Sequence, residues 1–418
     1  MNLLIKSATI IDKNSEFHNK TADILIQNDI ISDISQNIKN PKNYKEINFS
    51  NLHASPGWFD YSVCTGEPGY EERDTILNTL EVASKSGFTS IGIQPNTFPV
   101  TAKNTEIEYF KSIAYNSNVN IYPIGALTKK SEGNELAELY EMNTAGAIGF
   151  GDYKKPIKNP NLLKLALLYT KHQKFPIFSY PLNKEVSNNG VMNENKTSTI
   201  LGLKGSPNIS EEIQIMRDLA ILEYTGGNLH IPTISTGRSL DLIRNAKNKG
   251  LKVSCSTCIH NLFFNDESLK GFDTNFKVLP PLRTQEDVDK LIKGVKDGSI
   301  DLVTSDHNPL DIELKNLEFD NAEFGTIGLE SFFGALNSLF STKTVINILT
   351  RGKNIFGIKN SSLKIGVQAD ISLFNPISNY TFSEDKILSF SKNSIFKDSK
   401  LKGIVYGSIS NGKIILND

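Results

Sequence analysis

Cysteine is scarce in this chain: three residues, at positions 64, 255 and 258 of 418. So odd and sparse a set excludes a disulfide scaffold, and a reducing cytoplasm is the expected setting. Long apolar runs are lacking too, and none approaches the roughly 18–20 residues of a membrane-spanning helix. The opening stretch MNLLIKSATIIDK mixes charged and apolar residues, so no signal peptide is read there. Neither sign of charge dominates: 45 Lys and Arg stand against 46 Asp and Glu, for a net charge of −1. That balance provides no electrostatic footprint for nucleic acid and no basic patch for a membrane surface. Neither is expected as a partner.

What is present suits a globular protein. Hydrophobic residues make up 39% and charged residues 22%, enough for a sizeable core. The length fits one large domain plus a smaller one. Residues 1–54 read as short alternating strands, as in LLIKSATIID and ADILIQNDIISDI, with a polar break at Asn28-Asp29. Residues 360–418 read the same way, and Asn411-Gly412 is a strong hairpin signal. Strands at both ends predict a composite β-sandwich in which the termini meet.

Between them, over residues 55–359, the pattern changes. Short apolar runs such as TSIGIQP, AIGFGD, FPIFSYP, NLHIPTIST, LKVSCST and IDLVTSD alternate with amphipathic helical stretches. Strand–helix alternation repeated in this way predicts a parallel sheet closed into a (β/α)8 TIM barrel, whose chemistry belongs at the C-terminal ends of the strands. EYTGG before NLHI carries the glycine stop of a helix C-terminus.

At those strand ends stand PGWFDYSVCTGEPGYE, QPNT (94–97), GFGDYKKP, VLPPLR, TSDHNP and GTIGLES, in that order. The set, together with LKGSPNISEEIQIMRDLAILEYTGGNLHI, resembles the dihydroorotases of the amidohydrolase superfamily over nearly the whole chain. The resemblance implies a zinc site: an H-x-H pair at the first strand, a bridging carboxylate, two single histidines on later strands and a final aspartate. Zinc needs about four such N or O ligands with one position open to water.

Carried over position by position, most of that set is replaced. The H-x-H pair falls on Ser62 and Cys64, and the later histidines fall on Ser179 and Thr233. The acidic positions remain as Asp152 and Asp306. Serine and threonine hydroxyls are not ionised at neutral pH and make poor zinc ligands. The substrate side is altered as well: the family's carboxylate-binding Arg falls on Gly66, its Asn before PPLR on Leu279 and the His closing D-H-x-P-H on Leu310, whereas Asn96 matches. Loss of the Arg removes a charge-assisted bidentate contact.

Other residues carry two readings each. His230 reads as a packed or hydrogen-bonded strand histidine, and His307 as structural or as a wall of a residual pocket. Asp152 and Asp306 are either acid–base groups or partners for strand-end loops. Cys255-Ser-Thr-Cys258-Ile-His260 resembles half a zinc site but has no second pair, and buried free cysteines are commonly small apolar residues. Arg283 is read as a salt-bridge partner ahead of an anion site.

Three functional readings follow. In the first, the chain is a catalytically inactive dihydroorotase homologue that needs no cofactor. The resemblance then implies a scaffold or regulatory subunit for aspartate transcarbamoylase in pyrimidine biosynthesis, with a homo-oligomer expected. In the second, it is an active zinc-dependent hydrolase of dihydroorotate or a related cyclic amide, with a rebuilt metal site of Cys64, Asp152 and Asp306 and with Asp306 as proton shuttle. In the third, the barrel mouth binds a small ligand without turnover, and Asn96 alone supports it.

Overall fold

A computed structural model describes residues 1–41 and 43–417. The barrel has eight staves. Seven are strands: Trp58–Val63, Phe88–Ile93, Asn120–Pro123, Ile177–Phe178, Leu229–Ile231, Val253–Cys258 and Leu302–Thr304. The fourth in chain order is reduced to Phe150, which bridges Gly125 on one side and Ile177 on the other. A parallel bridge between Val63 and His307 joins the last stave to the first, and Cys64 N–H donates to the His307 carbonyl at 2.8 Å. The neighbouring staves pair in parallel. Their side chains are almost all buried, as expected of a parallel sheet covered on both faces.

The helices that cover the barrel carry their own start and stop signals. Gln285–Asp297 is opened by Thr284, whose side chain accepts from Asp287 N–H, with Glu286 and Asp287 in its first turn. It ends at Gly298 in the left-handed conformation, and its Val288, Leu291 and Val295 face the core at helical spacing. Ile209–Thr225 stops at Gly226, also left-handed, where the sequence places its glycine stop.

Strands from both termini build one eight-stranded sheet. Its path runs Lys413–Leu416, Lys400–Ser410, Ile371–Thr381, His53–Pro56, Leu3–Ile10, Thr21–Gln27 and Ile30–Ser35, and Lys45–Ile47 branches off beside Leu3–Ile10. Two hairpins in it use the same turn chemistry. Asn28-Asp29 and Asn411-Gly412 each place two successive residues at positive φ, the geometry that matches the twist of the flanking strands. The sheet has its own core of Leu3, Ile5, Ile24, Ile26, Ile371 and Leu373. Trp58 ties the barrel to it, stacking on Phe333 at 4.9 Å between ring centres and lying 5.5 Å from Phe374. Among the described residues no helix is long and apolar enough to cross a membrane.

Candidate functional site

The C-terminal ends of the staves converge on a small cavity lined by Tyr61, Ser62, Gln94, Gly151, Tyr153, Lys154, Phe178, Tyr180, Pro232, Thr233 and Asp306. Its volume is about 20 Å³. That holds about one water molecule, whereas small-molecule sites span roughly 300–1,000 Å³. A wider cavity of about 430 Å³ lies beyond Leu310 and Asn393, but none of Ser62, Cys64, Ser179, Thr233 or Asp306 lines it.

Asp306 follows the last stave and is buried, and its backbone is left-handed, with φ of 52°. Its carboxylate accepts from the Lys154 ammonium at 2.7 Å and from the Ser62 hydroxyl at 3.3 Å. Burial pulls the Lys154 ammonium down, but Asp306, together with Cys258 and Cys64, outweighs that and holds it above the ordinary lysine value. The same contact opposes the upward push that burial exerts on Asp306. A fixed internal cation therefore stands against the carboxylate that the family pattern assigns to metal.

The other positions are committed elsewhere. The Ser179 hydroxyl donates to Asp218 at 2.6 Å, and Asp218 is paired with Arg217 at 2.7 Å. The Thr233 hydroxyl is buried with no protein partner, and its backbone φ is 49°. Cys64 is buried, and burial pushes its thiol up to about 12, with Tyr153 and Asn96 beside it opposing the shift. It is no ready thiolate. Asn96 Oδ1 is buried without a protein partner.

Asp152 does not join them. Its carboxylate turns to the 128–133 loop, accepting from Thr128 N–H at 3.0 Å and the Thr128 hydroxyl at 2.5 Å. The next residue, Tyr153, lines the cavity in its place, with φ of 54°. The set expected for a rebuilt metal site, Cys64 with Asp152 and Asp306, is thus not brought together. The zinc that the resemblance implies does not fit the residues at this position: three hydroxyls, of Ser62, Ser179 and Thr233, and the protonated Cys64 thiol stand at the histidine positions, and the Lys154 ammonium holds the Asp306 carboxylate.

Tyr153, Thr233 and Asp306 are all non-glycine residues at positive φ. Such conformations cost on the order of 1–3 kcal/mol each and cluster at functional sites. Three strained backbone positions are thus gathered at the barrel mouth. The turn at Gly66 is tight. A Cβ built on Gly66 would come within 1.9 Å of the Tyr70 carbonyl and 2.6 Å of the Asp74 carbonyl, so the turn leaves no room for an Arg there.

Three residues given no role in the sequence reading matter here: Tyr153, Lys154 and Asp60. Lys154 and Tyr153 lie within GFGDYKKP, directly after Asp152, but an internal ammonium has no spacing signature. Asp60 precedes the H-x-H position. It is buried and accepts from the Thr304 hydroxyl at 2.5 Å and from Ser305 N–H at 3.0 Å, stitching the first stave to the last. Burial pushes its carboxyl up to about 6 against these donors. Arg283, read as a salt-bridge partner, is buried and donates to Ser206 O at 2.7 Å, Asn193 at 3.0 Å and Ser235 at 3.0 Å. Ser235 in turn bonds Glu211, so the contact with that acid is relayed.

Comparison with known proteins gives this geometry its context. The family model "Dihydro-orotase-like" matches residues 54–239. The dihydroorotase of Thermoanaerobacter sp. (strain X514) is 37% identical, covering 99% of this chain and 97% of that protein. The chain belongs to the dihydroorotase family. The dihydroorotase of Endomicrobium trichonymphae is 40% identical over 87% of this chain and 88% of its own. Among solved structures, the L-hydantoinase (dihydropyrimidinase) of Arthrobacter aurescens superposes with a TM-score of 0.86, covering 100% of this chain and 96% of that one. At 19% identity, that likeness shows a shared fold. This dihydroorotase-family chain therefore keeps its relatives' frame throughout while its barrel mouth differs from the pattern the family resemblance implies.

Proposed function

We propose that this member of the dihydroorotase family serves pyrimidine biosynthesis without hydrolysing a cyclic amide, as a scaffold or regulatory subunit for aspartate transcarbamoylase. The observation that carries the reading is the Lys154–Asp306 ion pair, at 2.7 Å, in a cavity of about 20 Å³. Amide hydrolysis in this frame needs an electrophile and an ionised base. Here the base is paired to a lysine, and no set of ligands stands ready at the family's metal position. Asp306 acting alone as a general base would contribute about 10²–10⁴ in rate, too little for an amide.

Metal ligands, carboxylate partner and substrate room are altered together. A changed substrate would leave the metal ligands in place, and a changed metal would leave the Arg. Joint loss with an intact barrel supports selection for the outer surface. The competing reading, a rebuilt hydrolase, would draw its metal ligands from Cys64, Asp152 and Asp306, with Asp306 as proton shuttle, and Asp152 is held by Thr128 instead.

The partner is tested by gel filtration of the purified chain with aspartate transcarbamoylase from the same source. Co-elution in a fixed ratio is the expected result. Separate elution at concentrations well above about 10 μM contradicts the scaffold role, since specific partners bind at least at the micromolar level.

A further inference from the structure

A second cluster of metal-ligating side chains includes Asp306 and two residues that do not line the cavity. Cys258 closes the stave Val253–Cys258, Asp306 lies just past the neighbouring stave, and Cys258 is in register with Thr304. His260 opens the short helix His260–Phe263, two residues beyond Cys258. One ligand atom from each of Cys258, His260 and Asp306 lies within 4.8 Å of the others, and all three residues are buried. They form the one group of three or more His, Cys, Asp or Glu so arranged among the described residues.

A separate observation points to a ligand. His260 is fully buried, yet neither of its ring nitrogens has a hydrogen-bond partner. A buried imidazole with both nitrogens unpaired is costly, because each has lost its water without replacement. His230, equally buried, shows the contrast: its nitrogens meet the Ser254 hydroxyl at 2.8 Å and the Ser256 hydroxyl at 3.3 Å.

We propose that Cys258, His260 and Asp306 form a buried site for a thiophilic divalent cation such as zinc, offset from the family's metal position and structural in effect. The S, N and O donor set suits zinc, which takes sulfur at about 2.3 Å and nitrogen or oxygen at about 2.0–2.2 Å. Ligand atoms in such a tetrahedron lie roughly 3.3–3.7 Å apart, so a contraction of about 1 Å completes the site. Burial, with Asp306 beside it, pushes the Cys258 thiol well above its ordinary value, so here as at Cys64 the thiolate forms only as the cation displaces the thiol proton. Thiolate, carboxylate and dication then sum to zero charge, and the Lys154 ammonium, 12% exposed, turns outward to solvent. The cavity of about 20 Å³, which Asp306 lines but Cys258 and His260 do not, has no room for a substrate ring. The site is thus compatible with an inactive barrel and does not depend on that reading.

Lys154 competes with the cation for Asp306, which gives the test its sign. Metal-free full-length protein is titrated with Co²⁺ under reducing conditions, following thiolate-to-cobalt charge-transfer absorption and bound metal per chain. The expected result is one cobalt per chain with that band. The band is lost in Cys258→Ser, survives in Cys64→Ser and Cys255→Ser, and forms at about tenfold lower cobalt in Lys154→Met. Should Cys258→Ser fail to fold, His260→Asn replaces it, with loss of stoichiometric cobalt expected. Absence of cobalt from both wild type and Lys154→Met overturns the proposal, as does a band that persists without Cys258. A band lost only in Cys64→Ser places the metal at the family's position; it overturns this site and, if turnover accompanies it, the non-hydrolytic reading too.

Discussion

His230 was legible as a structural histidine from its place in an apolar strand run, and its surroundings agree. It packs against Tyr61, Phe178 and Phe356, with both ring nitrogens on serine hydroxyls. Burial, with a smaller contribution from Lys247, holds it down to about 3. Below pH 6.5 the unfolded chain takes up a proton that the folded chain refuses. Stability therefore falls as pH drops from 6.5 towards 3, by about 1.4 kcal/mol per pH unit for this group. Urea denaturation of wild type and His230→Gln between pH 6 and pH 4 measures it: the stability difference between them should change by about that amount per unit, with wild type losing more. Parallel pH profiles contradict the assignment. Asp152 was less legible. Its position in GFGDY marked a carboxylate at a strand end, but only the structure shows that it serves the Thr128 loop while Tyr153 and Lys154 face the cavity. A one-residue change in which side chain points inward leaves no trace in composition or period.

At the scale of elements, the strand–helix alternation, the Asn411-Gly412 hairpin and the Gly226 stop were all readable, because each follows from a local rule of period or turn chemistry. The fourth stave was readable only as an apolar run, AIGFGD. That it shrinks to a bridge at Phe150 depends on its neighbours: a Cβ at Gly149 or Gly151 would meet the Phe178 ring and side chain within about 2.5 Å, so small residues let Phe178 fill that side of the barrel. The seam between first and last staves is likewise a long-range fact. Asp60 accepts from Thr304 and Ser305, some 245 residues away, and no local pattern announces it. Removing the carboxylate strands two hydroxyls and an N–H in a buried seam. Asp60→Ala should lower the unfolding free energy by about 2–3 kcal/mol. Denaturant midpoints at pH 7 check this, and an unchanged midpoint would show that the seam is held by packing alone.

At the scale of the whole molecule, an intact frame surrounds an altered mouth. The barrel closes through all eight staves, the terminal strands form one sheet, and Trp58 bonds the two through the Ser55 hydroxyl and the aromatic cluster. The departures from the pattern that the resemblance implies are legible one position at a time from the motifs. What surrounds them is not, since the ammonium of Lys154 and the tight turn at Gly66 act through space. The measurement that tests this account most directly is a dihydroorotase assay with added zinc, on the chain purified from a host lacking its own enzyme. The account predicts no turnover above background from folded protein, in either direction of the ring-opening reaction. Turnover that disappears in Asp306→Ala would contradict it and would require Lys154 to leave Asp306 during the reaction.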